Sequence, residues 1–372
     1  MRIGCVKEIK NHEYRVGMTP GAAKEYVKAG HEVFVQAGAG IGSEIADGEY
    51  EAVGVNILGS AEEVWGVAEM IVKVKEPLPT EYDLMREGQI LYTYFHFAAS
   101  EELTRVCLEK KIIAVAYETM VGEDGSLPLL KPMSEVAGSM APLMGAYYLM
   151  KSQGGRGVLA TGVPGVLPAN VVVFGGGVVG RCAAQVAAGM GAKVTVLDTN
   201  LRVLTNLGEI MPANVFTRYS DAGAVEEVIR EADIVVGAVL LHGAKAPKLV
   251  TREQLKTMKH GAVIVDVAID QGGCFETSRA TTHSEPIYEE EGVVHYCVAN
   301  MPGAYARTST IALGNATLEY GLEIAGRGIA EAIRSSRTVA TGVNTYWGRI
   351  TYWAVAEAFG MTDSYTDLYE MV

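Results

Sequence analysis

The chain has 372 residues, 49% of them hydrophobic and 20% charged, and a formal net charge of −13 at pH 7. That length accommodates two domains with full cores, and an acidic chain without a basic stripe excludes nucleic acid as the expected partner. Five scattered cysteines (Cys5, Cys107, Cys182, Cys274, Cys297) form no C-x-x-C pair, which argues against a disulfide framework or zinc cage and for reduced core thiols in the cytoplasm.

Short apolar strands alternate with helical runs through most of the chain, a pattern that predicts α/β layers on mainly parallel sheets. A strand is expected over 2–7, with no signal-peptide h-region before it. A helix over Gly21–Ala29 follows, then strands over 32–36, 70–75, 90–95 and 112–117. Gly38, Gly40 and Gly42 come after the second of these strands. Glu44 and Asp47 stand where a phosphate would sit and would repel it, so this cluster reads as a structural loop. A helix rich in Ala, Met, Leu and Tyr is expected around Ser134–Lys151, with Ser134 and Glu135 at its start. Residues 157–180 are uncharged and long enough to suggest a membrane span, but Pro164, Pro168, Asn170 and several glycines fit a buried loop and strand better, so no membrane is expected as a partner.

The strongest signal comes next. Asn170–Phe174 is an apolar strand; Gly175, Gly177 and Gly180 follow as G-x-G-x-x-G; a helix-like run leads to a strand over 193–197 that ends at Asp198. The first glycine permits a tight turn, the second lets backbone approach a pyrophosphate, and the third lets the helix pack on the sheet. Free N–H groups at the helix start face the anion. Asp198 lies 18 residues beyond Gly180, where a carboxylate accepts hydrogen bonds from an adenosine ribose and opposes a 2′-phosphate, an effect Arg202 nearby would soften. Strands over 233–238, 262–266 and 293–298 complete this unit, and the pattern is helical from Arg307 to Arg337.

A dinucleotide unit in mid-chain implies a discontinuous partner. The expected fold is α/β with two Rossmann-like domains, each a mainly parallel sheet flanked by helices, and a cleft between them. Residues 1–128 plus 306–372 form the substrate and catalytic domain, residues 129–305 the dinucleotide-binding domain, and Ser134–Lys151 and Arg307–Arg334 are the crossing helices.

Ligands in open α/β sheets sit beyond the carboxyl ends of strands. Arg15, Lys75, His96 and Asp270 occupy such ends. Each has an ordinary alternative: an exposed loop charge for Arg15, a snorkelling side chain for Lys75, a satisfied core histidine for His96, a turn cap for Asp270. Together they suit a hydride-transfer enzyme acting on a small acid. Guanidinium grips a carboxylate through paired charge-assisted bonds, ammonium holds the same group or polarises a carbonyl, imidazole moves protons near neutrality, and aspartate orients water or the nicotinamide. The remaining histidines show no metal-ligand spacing, and no metal is expected.

Several blocks in the same order carry a resemblance over essentially the whole chain. They are Lys7-Glu8-Ile9-Lys10 with Glu13-Tyr14-Arg15-Val16, Val74-Lys75-Glu76-Pro77, Tyr94-Phe95-His96, Pro132-Met133-Ser134-Glu135, the glycine turn, Gly243-Ala244-Lys245-Ala246-Pro247, Val267-Ala268-Ile269-Asp270-Gln271-Gly272-Gly273 and Val298-Ala299-Asn300-Met301-Pro302. With these the chain resembles the alanine dehydrogenases of the alanine dehydrogenase/transhydrogenase alpha-subunit family. The resemblance implies NAD as cofactor and reversible oxidative deamination of L-alanine to pyruvate and ammonia, as in L-alanine catabolism. It implies that Arg15 and Lys75 bind substrate and that His96 and Asp270 carry proton transfer and water handling. It implies cofactor contacts from Ser134, Gly175, Gly177, Gly180, Asp198, Ser220, Val239, Leu240, Val267, Ala268, Ile269, Asp270, Arg279, Val298, Ala299, Asn300 and Met301. It further implies a homo-oligomer, a hexamer. With His96 as base, deamination is expected to improve as pH rises.

Two departures stand out: His242 where many relatives have proline, and Tyr305-Ala306 where Val-Pro is frequent. The nearest rival is the nucleotide-binding subunit of a transhydrogenase, which needs no amino-acid site; Arg15, Lys75, His96 and the lack of a membrane segment before Val372 disfavour it. A non-catalytic NAD sensor would need no such cleft residues, and the short chain disfavours a saccharopine-type dehydrogenase.

Overall fold

In the computed structural model, residues 1–239 and 246–372 are described; Leu240, His242 and the Gly243-Ala244-Lys245 part of one motif lie outside them. The strands in chain order are β1 Arg2–Cys5, β2 Glu32–Gln36, β3 Asn56–Leu58, β4 Met70–Val72, β5 Ile90–Thr93, β6 Ile113–Ala116, β7 Asn170–Phe174, β8 Lys193–Asp198, β9 Val215–Tyr219, β10 Ile234–Gly237, β11 Val263–Asp266, β12 Ile287–Glu290, β13 Val293–Tyr296, β14 Val343–Tyr346 and β15 Arg349–Ile350. They form two sheets, and the chain divides into two compact units, Met1–Met133 with Gly303–Val372 and Ser134–Pro302.

The sheet of the first unit has eight strands in the order β15-β14-β6-β5-β4-β1-β2-β3. Every pairing from β3 to β6 is parallel, while β14 and β15 extend the β6 edge antiparallel. The parallel part reads 3-2-1-4-5-6, a doubly wound order whose direction reverses between β1 and β4. Its β4, β5 and β6 are buried on both faces, which is why they are almost wholly apolar. Gly4 is required by this packing, since a Cβ there would lie 2.7 Å from the Cβ of Ala68.

The sheet of the second unit has seven strands in the order β12-β13-β11-β10-β7-β8-β9, with the same 3-2-1-4-5-6 core and β12 added antiparallel. Ala183, Ala184, Ala187 and Ala188 of the helix Val178–Gly189 pack on Val171, Val173, Val194 and Val196. Small residues on the helix allow that close approach.

The helices follow local rules. Pro20–Lys28 starts with the Thr19 hydroxyl accepting from the Ala22 N–H and with proline at its first position. The helix predicted around Ser134–Lys151 spans Lys131–Tyr148, so Ser134 sits inside its first turn and not at its start. Pro132 explains the earlier beginning, because a first-turn N–H has no helical partner to lose. The helical tail is three helices, Ala306–Arg327, Ile329–Ser335 and Arg337–Gly342. Gly328, at φ +78°, breaks the first from the second, and the Ser336 hydroxyl caps the third. Residues 157–180 form a loop, β7 and a helix start, and among the described residues no helix is long and apolar enough to cross a membrane.

Candidate active site

In the second unit, the implied cofactor residues fall at the carboxyl ends of the parallel strands: Gly175 after β7, Asp198 ending β8, Ser220 after β9, Val239 after β10, Val267 after β11 and Val298 after β13. The topological reversal lies between β7 and β10, where a dinucleotide crosses such a sheet. Gly175 has φ +93°, and a Cβ on it would lie 2.8 Å from the carbonyl oxygen of Ala238 on the far side of that reversal. A Cβ on Gly180 would lie 1.8 Å from the Gly175 oxygen, whereas one on Gly177 would meet nothing within 4 Å. The space before Gly177 is open, and no side chain caps the helix that begins there. First-turn N–H groups that no side chain caps suit an anion. The Asp198 carboxylate accepts from the backbone N–H of Gly176 and of Asn200, each at 2.7 Å. It ties the second strand to the glycine turn. These residues fit NAD.

The other implied contacts are placed as follows. Ser134 lies in the first turn of Lys131–Tyr148. Arg279 is exposed, with its guanidinium 3.8 Å over the Tyr288 ring. Ala299, Asn300 and Met301 lead out of β13, with Asn300 at φ +62° and its carbonyl accepting from His283. Val267–Gln271 is a 3-10 turn that carries Ala268, Ile269 and an exposed Asp270. Two groups fix that turn from below. The buried Asp266 carboxylate accepts from Ala268 N–H, Cys274 N–H and the Ser278 hydroxyl at 3.2, 2.8 and 2.5 Å. The Lys248 ammonium donates to the carbonyls of Gly272, Gly273 and Phe275 at 2.6, 2.9 and 3.0 Å.

In the first unit, Arg15 follows β1, Lys75 follows β4 and His96 follows β5, three strands adjacent in the sheet and spanning its reversal. Arg15 is 2% exposed and Lys75 8% exposed, so neither is a loop charge or a snorkelling tip. The His96 side chain is open to solvent and stacks on Tyr94, with centroids 6.0 Å apart and planes 10° apart. It is not a core histidine.

Each of the three rests on a carboxylate that the sequence reading gave no role. Glu13 accepts from Arg15 Nε at 2.6 Å and Nη2 at 2.5 Å, and Arg15 Nη1 lies 3.0 Å from the Met133 sulfur. Glu8 accepts from the N–H of Val74 at 2.6 Å and of Lys75 at 3.3 Å. Its other oxygen lies 3.4 Å from the buried Lys73 ammonium, which also donates to Glu81 at 2.9 Å. Glu118, in the turn after β6, accepts from Phe95 N–H at 3.2 Å and His96 N–H at 2.6 Å. His96 itself is left-handed, φ 50° and ψ 43°, a conformation that costs a non-glycine residue about 1–2 kcal/mol.

These charges set one another. Burial opposes the Arg15 cation, but Glu13 raises its pKa overall. Burial likewise opposes Lys73, and Glu8 and Glu81 raise it. Desolvation pushes Glu118 up, against its N–H bonds and Lys75. Desolvation, then the positive charges of Lys75, Lys10 and Arg15, pull the His96 imidazole down. Its solvent exposure relieves part of the desolvation, and the three cations keep the direction downward.

This chain is similar to known proteins over almost its whole length. Residues 4–137 match the alanine dehydrogenase/PNT N-terminal domain and residues 141–353 its C-terminal domain. The chain is 55% identical to an alanine dehydrogenase of Methanococcus maripaludis over 96% of both chains, and 50% identical to one of Mycobacterium tuberculosis over 97% of both. A solved L-alanine dehydrogenase superposes with a TM-score of 0.94 at 47% identity, covering 97% of this chain and 99% of that one. A transhydrogenase from Sinorhizobium meliloti superposes with a TM-score of 0.81 at 26% identity, covering 95% and 99%.

Proposed function

The chain belongs to the alanine dehydrogenase/PNT family, and on that premise we propose how its residues share the work of an NAD-dependent L-alanine dehydrogenase. The reaction is the reversible oxidative deamination of L-alanine to pyruvate and ammonia. The chain is thus an oxidoreductase acting on an amino-acid donor, and NAD, when bound, supplies the hydride acceptor.

The glycine turn and the helix start at Val178 hold the pyrophosphate, and Asp198 holds the adenosine ribose. Arg15 and Lys75 hold the alanine carboxylate, so that the Cα–H is presented in one orientation. Loss of hydride from Cα leaves an iminium, to which water adds. Asp270 orients that water. Neutral His96 takes one proton from that water and returns it to the departing amine, then accepts the hydroxyl proton as the C–N bond of the carbinolamine breaks to give pyruvate and ammonia. Ser134, Ser220, Val239, Leu240, Arg279 and residues 267–270 and 298–301 complete the cofactor contacts in this reading. The observation that carries it is the placement of a guanidinium, an ammonium and an imidazole at the carboxyl ends of the adjacent strands β1, β4 and β5.

A spectrophotometric assay tests the assignment. NADH oxidation that requires pyruvate and ammonium together supports it; NADH oxidation by a second nicotinamide nucleotide, with none by pyruvate plus ammonium, would support a transhydrogenase subunit instead. In the same reading the enzyme works in the cytoplasm, in alanine catabolism and as a homohexamer, for which the support is the family resemblance.

A further inference from the structure

Glu118 stands outside every role assigned so far, yet its carboxylate addresses the backbone of the proposed acid–base residue. It reaches across from the turn Tyr117–Thr119 after β6 to the end of the neighbouring β5. There it accepts from two successive N–H groups, Phe95 at 3.2 Å and His96 at 2.6 Å. Successive N–H groups that converge on one point make an anion-binding concavity, and here the anion is a side chain of the same protein. The left-handed backbone of His96 sets the direction of its side chain relative to that N–H, and the imidazole is exposed and lies parallel to Tyr94. Tyr94 is in turn fixed by its hydroxyl, which donates to the Leu129 carbonyl at 2.5 Å.

We propose that Glu118 is a positioning residue for His96. It holds the left-handed turn from which the imidazole is presented. A displacement of about 1 Å in a reacting group lowers the rate by about 100-fold, so a group that fixes this backbone acts on proton transfer without touching substrate. The proposal rests on the assignment of His96 made above.

Glu118→Gln keeps the size of the side chain but removes the charge and turns one acceptor into a donor facing an N–H. The expected result is a fall of about 10- to 100-fold in the single-turnover rate of NADH oxidation with pyruvate and ammonium. The solvent deuterium isotope effect rises, because proton transfer becomes slower. The KM for pyruvate does not rise and the Kd for NADH is unchanged. Glu118→Asp, which keeps the charge on a shorter arm, recovers at least threefold of the lost rate, about half a log unit. A rate within threefold of wild type in Glu118→Gln overturns the proposal; so does a slow variant with an unchanged isotope effect, or one that also loses NADH affinity. His96→Ala measured alongside separates the two readings. Full turnover in His96→Ala removes the role of His96 itself, whereas a slow His96→Ala beside a fast Glu118→Gln removes only that of Glu118.

Discussion

Glu13 grips Arg15 by two edges of its guanidinium, at 2.6 Å on Nε and 2.5 Å on Nη2, and both side chains are almost completely buried. An arginine free to swing would lose entropy on meeting a substrate carboxylate. This one is already aimed before any ligand arrives.

Glu13→Ala removes the aim and leaves a buried cation without its carboxylate. Breaking such a pair costs about 3 kcal/mol. Denaturant unfolding should show that loss, and the KM for pyruvate should rise. A variant as stable as the wild type would contradict this description of the pair.

His96→Ala should lower turnover by about 100- to 10,000-fold, the range of a positioned acid–base group, while NADH binding followed by fluorescence stays the same. Unchanged turnover would remove His96 from the mechanism.

The pH dependence follows from the sign of the His96 shift. Its pKa is lowered, by desolvation and by Lys75, Lys10 and Arg15, so the imidazole is already neutral at pH 7 and stays neutral as pH falls through the ordinary histidine value of about 6.5. The acid limb of kcat/KM for alanine that belongs to His96 therefore lies below pH 6.5. A gain in deamination above neutrality should then follow the substrate ammonium. Lys10→Gln removes one of the three cations and should move the acid limb upward. A wild-type limb at or above 6.5 would contradict the electrostatics.

Gly180→Ala and Gly177→Ala separate packing from binding. The first places a methyl 1.8 Å from a carbonyl oxygen and should cost about 3 kcal/mol in unfolding experiments. The second meets no protein atom within 4 Å, so the loss of stability is limited to about 0.5–1 kcal/mol for alanine at a helix cap, yet NADH affinity should fall at least about tenfold, since a methyl then stands where backbone must approach pyrophosphate. Equal NADH affinity in Gly177→Ala and wild type would move the pyrophosphate elsewhere.

Asp198 should set the preference between NADH and NADPH. A 2′-phosphate brought against its carboxylate is a like-charge contact worth several kcal/mol, so kcat/KM with NADH should exceed that with NADPH by about 100-fold or more. Asp198→Ser should narrow the ratio. It should also weaken NADH binding, because Asp198 fixes the Gly176 N–H. Similar efficiencies with both cofactors in the wild type would refute the role.

Much of this was legible in the chain. The glycine turn, Asp198 and the strands before and after them share one short stretch, and Arg15, Lys75 and His96 each announce a strand end. The supporting carboxylates were hidden because their partners are remote: Glu118 is 22 residues from His96, and Glu8 is 67 from Lys75. Only sheet order brings them together. β3 and β15 were missed because they are short, and β9 because its exposed Phe216 and Thr217 break the apolar run that marks a buried strand. Glu13 lay in plain view two residues from Arg15, but proximity in sequence says nothing about burial.

The left-handed corner at His96 also limits what can replace it over evolutionary time. Branched residues are strongly disfavoured there, and glycine, asparagine or aspartate would keep the bend while discarding the imidazole. The proposed acid–base chemistry and the chain direction thus meet in one residue, and a lineage that gives up the first keeps the second most readily with one of those three.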